Sequence, residues 1–320
     1  MRASTLLFFI FFLVNNFYAF SQVDTINYKA SSEGYKLDVQ LLKYPSITKA
    51  PAIIFLVGSG SSASHKTNYK DFVKFFLEDN FLIENYVLVY FDKRGVGNSE
   101  GKWYETTFEQ RALDAKNVAL SLTQFEFIDT SNIFLIGHSQ GAWITQIALA
   151  EYPDIFAGGI SMAGATFGVK KQMINDYMNE YICEDNYSKE KAVTKATNKV
   201  NRDFFFISFL GIFGINDNWS QLKIIKDFEP KPYLKRICKP LLLLFGENDM
   251  LVDYQWCLEE LKLIFGNDMP KHIEIYLAKD ENHSFKVAPK CYQGKWSDIY
   301  YSVNTKSKIK QWIEYIKNSH

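Results

Sequence analysis

A chain of 320 residues has room for one large domain or two small ones, and 47% hydrophobic with 22% charged residues is ordinary for a packed globular protein. Lys+Arg and Asp+Glu both number 36, so the formal net charge is zero and no global basic field gathers phosphates; nucleic acid is excluded as an expected partner. The aromatic fraction of 16%, with 27 Phe and 19 Tyr, reads first as a Phe-rich core and only second as an aromatic ligand box.

Met1-Arg2 puts one positive charge before an unbroken apolar run, Leu6 to Val14, and Ala19-Phe20-Ser21 supplies small residues at the two positions a signal peptidase reads. This predicts a secretory signal over 1–21, cut after Ser21, with 22–320 exported to the periplasm or the medium. The apolar run is too short for a stable membrane anchor, and no cysteine at the cut offers a lipid-attachment site. Export exposes Cys183, Cys238, Cys257 and Cys291 to an oxidising compartment. Their scatter, with no Cys-x-x-Cys and no closely spaced His, argues against zinc. Three disulfide pairings stay open, beside the alternative of buried free thiols.

Past the signal, Tyr35 to Leu42 alternates like a half-exposed edge strand, and Ala52 to Val57 is a continuous apolar run suited to a strand buried on both faces. Tyr69 to Glu78 has helical spacing. Tyr86 to Phe91 reads as a second buried strand and Phe108 to Thr123 as a second helix. Ile133 to Ile136 is a third strand, followed by a tight turn and a helix from about Ala142 to Glu151. Gly159 to Ala163, Pro240 to Phe245 and Ile273 to Leu277 are three further strands, and Lys306 to Lys317 is a closing amphipathic helix. Strands alternating with helices predict an α/β fold, a mostly parallel sheet flanked by helices, with ligand-binding loops at the carboxyl ends of the strands. The alternation breaks from about 166 to 239, which reads as a helical insertion, a lid, or else as ordinary structural helices. Within it, Asp203 to Gly214 is greasy enough to face an apolar substrate or the core.

Between the third strand and its helix lies Gly137-His138-Ser139-Gln140-Gly141. A Gly-x-Ser-x-Gly in a strand–turn–helix setting presents a serine hydroxyl at the open edge of a sheet, and the following helix N-terminus favours an oxyanion. Outside that setting the pentapeptide is common by chance. A serine needs a base and an orienting acid. Of five histidines, His283 alone sits after a late core strand; His65 lies too early, His138 is inside the turn, His272 opens a strand and His320 is terminal. Asp249 follows the Leu241–Phe245 strand by a short turn and precedes an apolar return, which places it ahead of Glu247, Asp253, Asp280 and Glu281 as the acid. The backbone N–H of Gln140 is one expected oxyanion donor, and Ser59, with Gly60 close behind, is the other, in the small-residue loop after an early strand. Gly58-Ser59-Gly60 lacks the third glycine of a dinucleotide fingerprint and any P-loop lysine, so nucleotide binding is set aside.

Four segments then resemble the α/β-hydrolase superfamily, and within it the exported bacterial serine esterases: LVGSGS at 56–61, FDKRGVGNSEG at 91–101, GHSQG at 137–141, and GENDMLV at 246–252 with NHSF at 282–285. The resemblance implies a Ser139–His283–Asp249 triad, a covalent acyl-enzyme, no cofactor and no metal, with Asp92, Arg94, Gly95 and Gly97 in structural roles. Val57 stands where many members carry His. The expected activity is hydrolysis of a small carboxylic ester; a small exported aminopeptidase or amidase, and an inactive binding protein on the same fold, are the alternatives.

Overall fold

The computed structural model describes residues 23–210 and 216–319. The expected signal over 1–21 lies outside the described residues, as does 211–214 of the greasy segment. In chain order, β1 (Asp24–Ser32) and β2 (Tyr35–Lys43) precede β3 (Ala50–Leu56) and an interrupted helix: α1 (Lys70–Val73), a π-helical turn (Lys74–Glu78) and α2 (Asp79–Phe81). Then come β4 (Val87–Phe91), α3 (Phe108–Ser121), β5 (Ile128–His138), α4 (Gln140–Glu151) and β6 (Gly158–Met162). Four successive helices follow, α5 (Val169–Cys183), α6 (Lys189–Leu210), α7 (Asp217–Ile225) and α8 (Lys231–Leu234). Last are β7 (Leu241–Gly246), α9 (Tyr254–Phe265), β8 (Ile273–Ala278) and α10 (Val303–Asn318).

The eight strands form one sheet in the order β1-β2-β4-β3-β5-β6-β7-β8, antiparallel for β1/β2 and β2/β4 and parallel from β4 through to β8. Successive side chains of a strand point to opposite faces, and the core divides accordingly. Ala52, Ile54 and Leu56 of β3, with Leu241, Leu243 and Phe245 of β7, pack under α3 and α4. Ile53 and Phe55, with Leu242 and Leu244, face the other way beneath Phe72, Phe76, Ile309 and Trp312 of the interrupted helix and α10. Much of the phenylalanine is structural: Phe55, Phe76, Phe81, Phe108, Phe134, Phe156, Phe167, Phe245 and Phe285 are fully buried, each contributing about 1.5–3 kcal/mol of transfer free energy.

The parallel sheet flanked by helices is the arrangement expected from the sequence. One strand reading changes: β2 is not an edge, because β1 lies outside it through the two-residue Glu33-Gly34 turn. Both turn residues have positive φ (46° and 85°), the primed geometry that matches strand twist. The outer strand, DTINYKASS, is too polar and too exposed to announce itself by periodicity. The helix after the serine turn begins at Gln140 rather than about Ala142, and α9, capped by Asp253, is an element that periodicity did not single out. The stretch from about 166 to 239 holds α5 to α8 and, among the described residues, no strand.

Candidate active site

Every expected site residue stands at the carboxyl end of a parallel strand. The loop after β3 carries Ser59, the turn after β5 carries Ser139 and Gln140, the turn after β7 carries Asp249, and the loop after β8 carries His283. Ser139 itself has φ 57° and ψ −121°, a conformation a non-glycine residue adopts only when its surroundings impose it. The flanking glycines explain how the turn closes. A Cβ on Gly137 would lie 2.0 Å from the Gly141 carbonyl oxygen, and one on Gly141 would lie 2.0 Å from the Leu56 carbonyl oxygen. The Ser139 amide donates to the Met162 carbonyl at 2.9 Å, pinning the turn to β6.

His283 and Asp249 meet directly, Nδ1 to Oδ2 at 2.8 Å. The other oxygen of the buried Asp249 accepts the Leu251 and Val252 amides at 2.7 and 2.9 Å, so the carboxylate is held by three hydrogen bonds. Burial works against an imidazolium at His283, but the charge and hydrogen bond of Asp249, helped by Asp176, raise its pKa above the ordinary histidine value. Three of the four rival acids are engaged elsewhere, and the fourth, Asp280, is exposed. Glu247 accepts the Asp280 amide, Asp253 caps α9, and Glu281 accepts the Thr305 hydroxyl.

Ser59, Ser139, Gln140 and His283 line one cavity of about 180 Å³, together with Trp143, Leu251 and, from α5, Gln172 and Asp176. A second lobe of about 280 Å³ shares Ser59, Ser139 and His283 and runs toward Tyr69, Phe72 and Tyr301. Ser59 makes no hydrogen bond to another described residue, and Gln140, first in α4, has no intrahelical acceptor for its N–H. Both backbone donors are therefore open to a ligand.

Sequence reasoning missed the polar scaffold behind these groups. The Gly58 amide donates to the Tyr69 oxygen at 3.0 Å, the Tyr69 hydroxyl meets His138 Nδ1 at 2.8 Å, and His138 Nε2 meets the His283 carbonyl at 2.8 Å. Burial pulls His138 down to about 3, so it is neutral, with Nδ1 accepting from Tyr69 and Nε2–H donating to His283. Under the loop after β3, Arg111 donates to the Val57 carbonyl and Lys93 to the Gly58 carbonyl, at 2.7 and 2.9 Å. Burial, reinforced by Arg111, pushes Lys93 down to about 6. Nothing in the spacing of these residues marks them; only the fold brings them together. In FDKRGVGNSEG, Arg94 is tied up structurally, holding Asp114 and Glu33.

The helical insert is bolted to the acid turn. Asn175 and Asn179 of α5 both donate to the Met250 carbonyl, at 3.1 and 2.6 Å, and Gln172 donates to that of Leu251 at 3.3 Å. A disulfide joins Cys183, the last residue of α5, to Cys291 in the segment after His283, while Cys238 and Cys257 are free thiols. Asp176, on the same helix, has no hydrogen-bond or ion-pair partner among the described residues. Burial, with Glu180 nearby, raises its carboxyl to about 6.

Residues 73–300 match the prolyl oligopeptidase family. A poly(3-hydroxyalkanoate) depolymerase C of Paucimonas lemoignei is 29% identical over 96 residues, 28% of this chain and 23% of that protein, so the chain matches less than a quarter of that relative's length. Among solved structures, the Pyrococcus furiosus esterase Pf2001 superposes with a TM-score of 0.59 at 19% identity, over 91% of each chain. Est1E from Butyrivibrio proteoclasticus, solved with ferulic acid, superposes with a TM-score of 0.56 at 15% identity, over 91% of this chain and 99% of that one. At such identities the likeness carries the α/β-hydrolase fold.

Proposed function

The chain belongs to the prolyl oligopeptidase family of α/β-hydrolases, and from that premise we propose that it hydrolyses carboxylic esters through Ser139, His283 and Asp249. The observation that carries the reading is the His283–Asp249 hydrogen bond at 2.8 Å beside a strained serine turn in a shared cavity. With Nδ1–H directed at Asp249, Nε2 is the basic nitrogen, and it takes the Ser139 proton as the hydroxyl attacks the ester carbonyl. Asp249 holds that tautomer and balances the imidazolium that forms. The Ser59 and Gln140 amides receive the oxyanion at the N-terminus of α4, each donor worth about 3–4 kcal/mol in comparable sites. His283 then protonates the leaving alcohol, water repeats the attack on the acyl-enzyme, and the acid departs. Helices α5 to α8 act as a lid that shapes the cavity above this centre. The relatives described as an esterase and a depolymerase support an ester rather than an amide. Export of the mature chain, with small-molecule esters as substrates, completes the reading.

Ser139→Ala should abolish turnover of p-nitrophenyl acetate, by at least about 10³-fold, and remove labelling by a fluorophosphonate probe while the circular dichroism spectrum stays unchanged. A mutant that still takes the label would sink the assignment.

One observation favours a second reading, an aminopeptidase or amidase. Asp176 is a carboxylate without a partner among the described residues, and it lines the cavity, suited to an ammonium group on the acyl part of a substrate. Acyl esters and aminoacyl amides assayed side by side on the purified protein separate the two.

A further inference from the structure

A buried cation is costly unless something pairs with it. Among the described residues, the buried Lys43 has Asp24, and Arg94 has Asp114 and Glu33. Arg111 and Lys93 are equally buried, at 7% and 5% exposure, and neither forms an ion pair with a described carboxylate; burial brings Lys93 down to about 6, whereas Arg111 keeps its charge. Arg111 also sits in the first turn of α3, where the helix dipole opposes a positive charge. Neither packing nor helix formation explains a guanidinium there.

Its acceptors do. One arm, Nη2, donates to the Val57 carbonyl at 2.7 Å, at the root of the loop that carries Ser59. The other, Nη1, donates to Gln140 Oε1 at 3.1 Å, on the residue whose own amide is the second oxyanion donor. We propose that Arg111 is the positioning residue of the oxyanion hole: one rigid guanidinium fixes the separation of the two donor-bearing segments and keeps a positive charge beneath them. The inference rests on the Ser139 reading above. A guanidinium suits the task because its donors are held in a fixed plane, so a bond to each segment sets a distance rather than merely an attraction. Burial lowers it only to about 10, so it stays charged throughout the range in which His283 can act as a base. The neighbouring Lys93 amine, donating to the next carbonyl along, braces the same loop from below. Negative charge appears above the hole only in the tetrahedral transition state. The benefit of Arg111 therefore falls on kcat and not on KM.

The test uses the full mature chain with p-nitrophenyl acetate. Arg111→Met should lower kcat about 100-fold with KM changed less than about threefold, and should weaken a boronic-acid transition-state analogue by the same factor as kcat/KM. Its melting temperature should change little, because relief of a buried charge is offset by the two acceptors left without their donor. Gln140→Ala, which removes the side-chain acceptor but keeps the backbone donor, should lower kcat about tenfold alone and cost almost nothing further in the Arg111→Met background. Arg111→Met that keeps its kcat, or that raises KM alone, overturns the proposal. Should that variant not fold, Gln140→Ala decides by itself: an unchanged kcat overturns the proposal. Wild-type protein that hydrolyses no ester and takes no fluorophosphonate overturns the Ser139 reading and this inference with it, whereas a labelled, active wild type with an insensitive Arg111 overturns the inference alone.

Discussion

The floor of the site and the helices above it are built on different principles. In the floor, nearly every polar group has a designated partner: Asp249 accepts three hydrogen bonds, His138 two neighbours, and the carbonyls under Ser59 are held by Arg111 and Lys93. The insert instead grips the rest of the molecule at separate points, three amide side chains of α5, the Lys171–Glu260 ion pair, Phe228 packed on Trp143 and one disulfide, and turns Phe205, Phe206 and Trp219 outward. It also brings Asp176, a carboxyl with no partner among the described residues, to the cavity that Ser139 and His283 line. The difference separates tasks. A reaction that develops charge needs groups that are already oriented, while the choice of substrate is left to side chains that a bound molecule can satisfy.

Three variants probe that division. Asp249→Asn strikes the floor and should have the largest effect, about 10⁴-fold in kcat. Because Asp249 raises the pKa of His283, and the base must be neutral to act, the acid limb of kcat/KM should also move to lower pH in the variant. A pH-rate profile checks both. Asp176→Asn acts where the insert meets the floor. It should move the same limb in the same direction by less, since Asp176 is the smaller influence on His283, and should selectively weaken ammonium-bearing substrates over neutral isosteres. Above about pH 6, where the native carboxyl is ionised, that selectivity should be greatest. The paired Cys183→Ser and Cys291→Ser variant removes the staple and should leave kcat on a small acetate ester within a few-fold while costing about 2–4 kcal/mol of stability, read by denaturant unfolding. A loss of kcat as large as that of Asp249→Asn would erase the distinction between floor and insert.

The same distinction decides what was legible in the sequence. The floor rests on short apolar runs ending in turns, so Ser139, Gln140, Asp249, His283 and Ser59 could all be placed from the strand each follows, and the structure brings them together. Asp249 was placed ahead of Glu247 and Asp253 because it follows the strand by a short turn and precedes an apolar return; in the structure that return gives its carboxylate two amides. The scaffold was not legible, since Tyr69, His138 and His283, and separately Arg111 and Val57, are joined across long stretches of chain and no local pattern records such contacts. In the insert, helical spacing showed helices but not that α5 presents Asp176 inward. The pairing of Cys183 with Cys291, 108 residues apart, is likewise a fact of the fold.

The chain of donors from Gly58 through Tyr69 and His138 to the His283 carbonyl has a fixed direction, since each member can donate only one way once the first amide is committed. It crosses three loops that otherwise share little sequence proximity. Heating that breaks one link frees the next, so the loop holding Ser59 and the loop holding His283 should slacken together. Thermal inactivation would then appear as one cooperative event that precedes melting of the sheet, and not as a gradual erosion of rate.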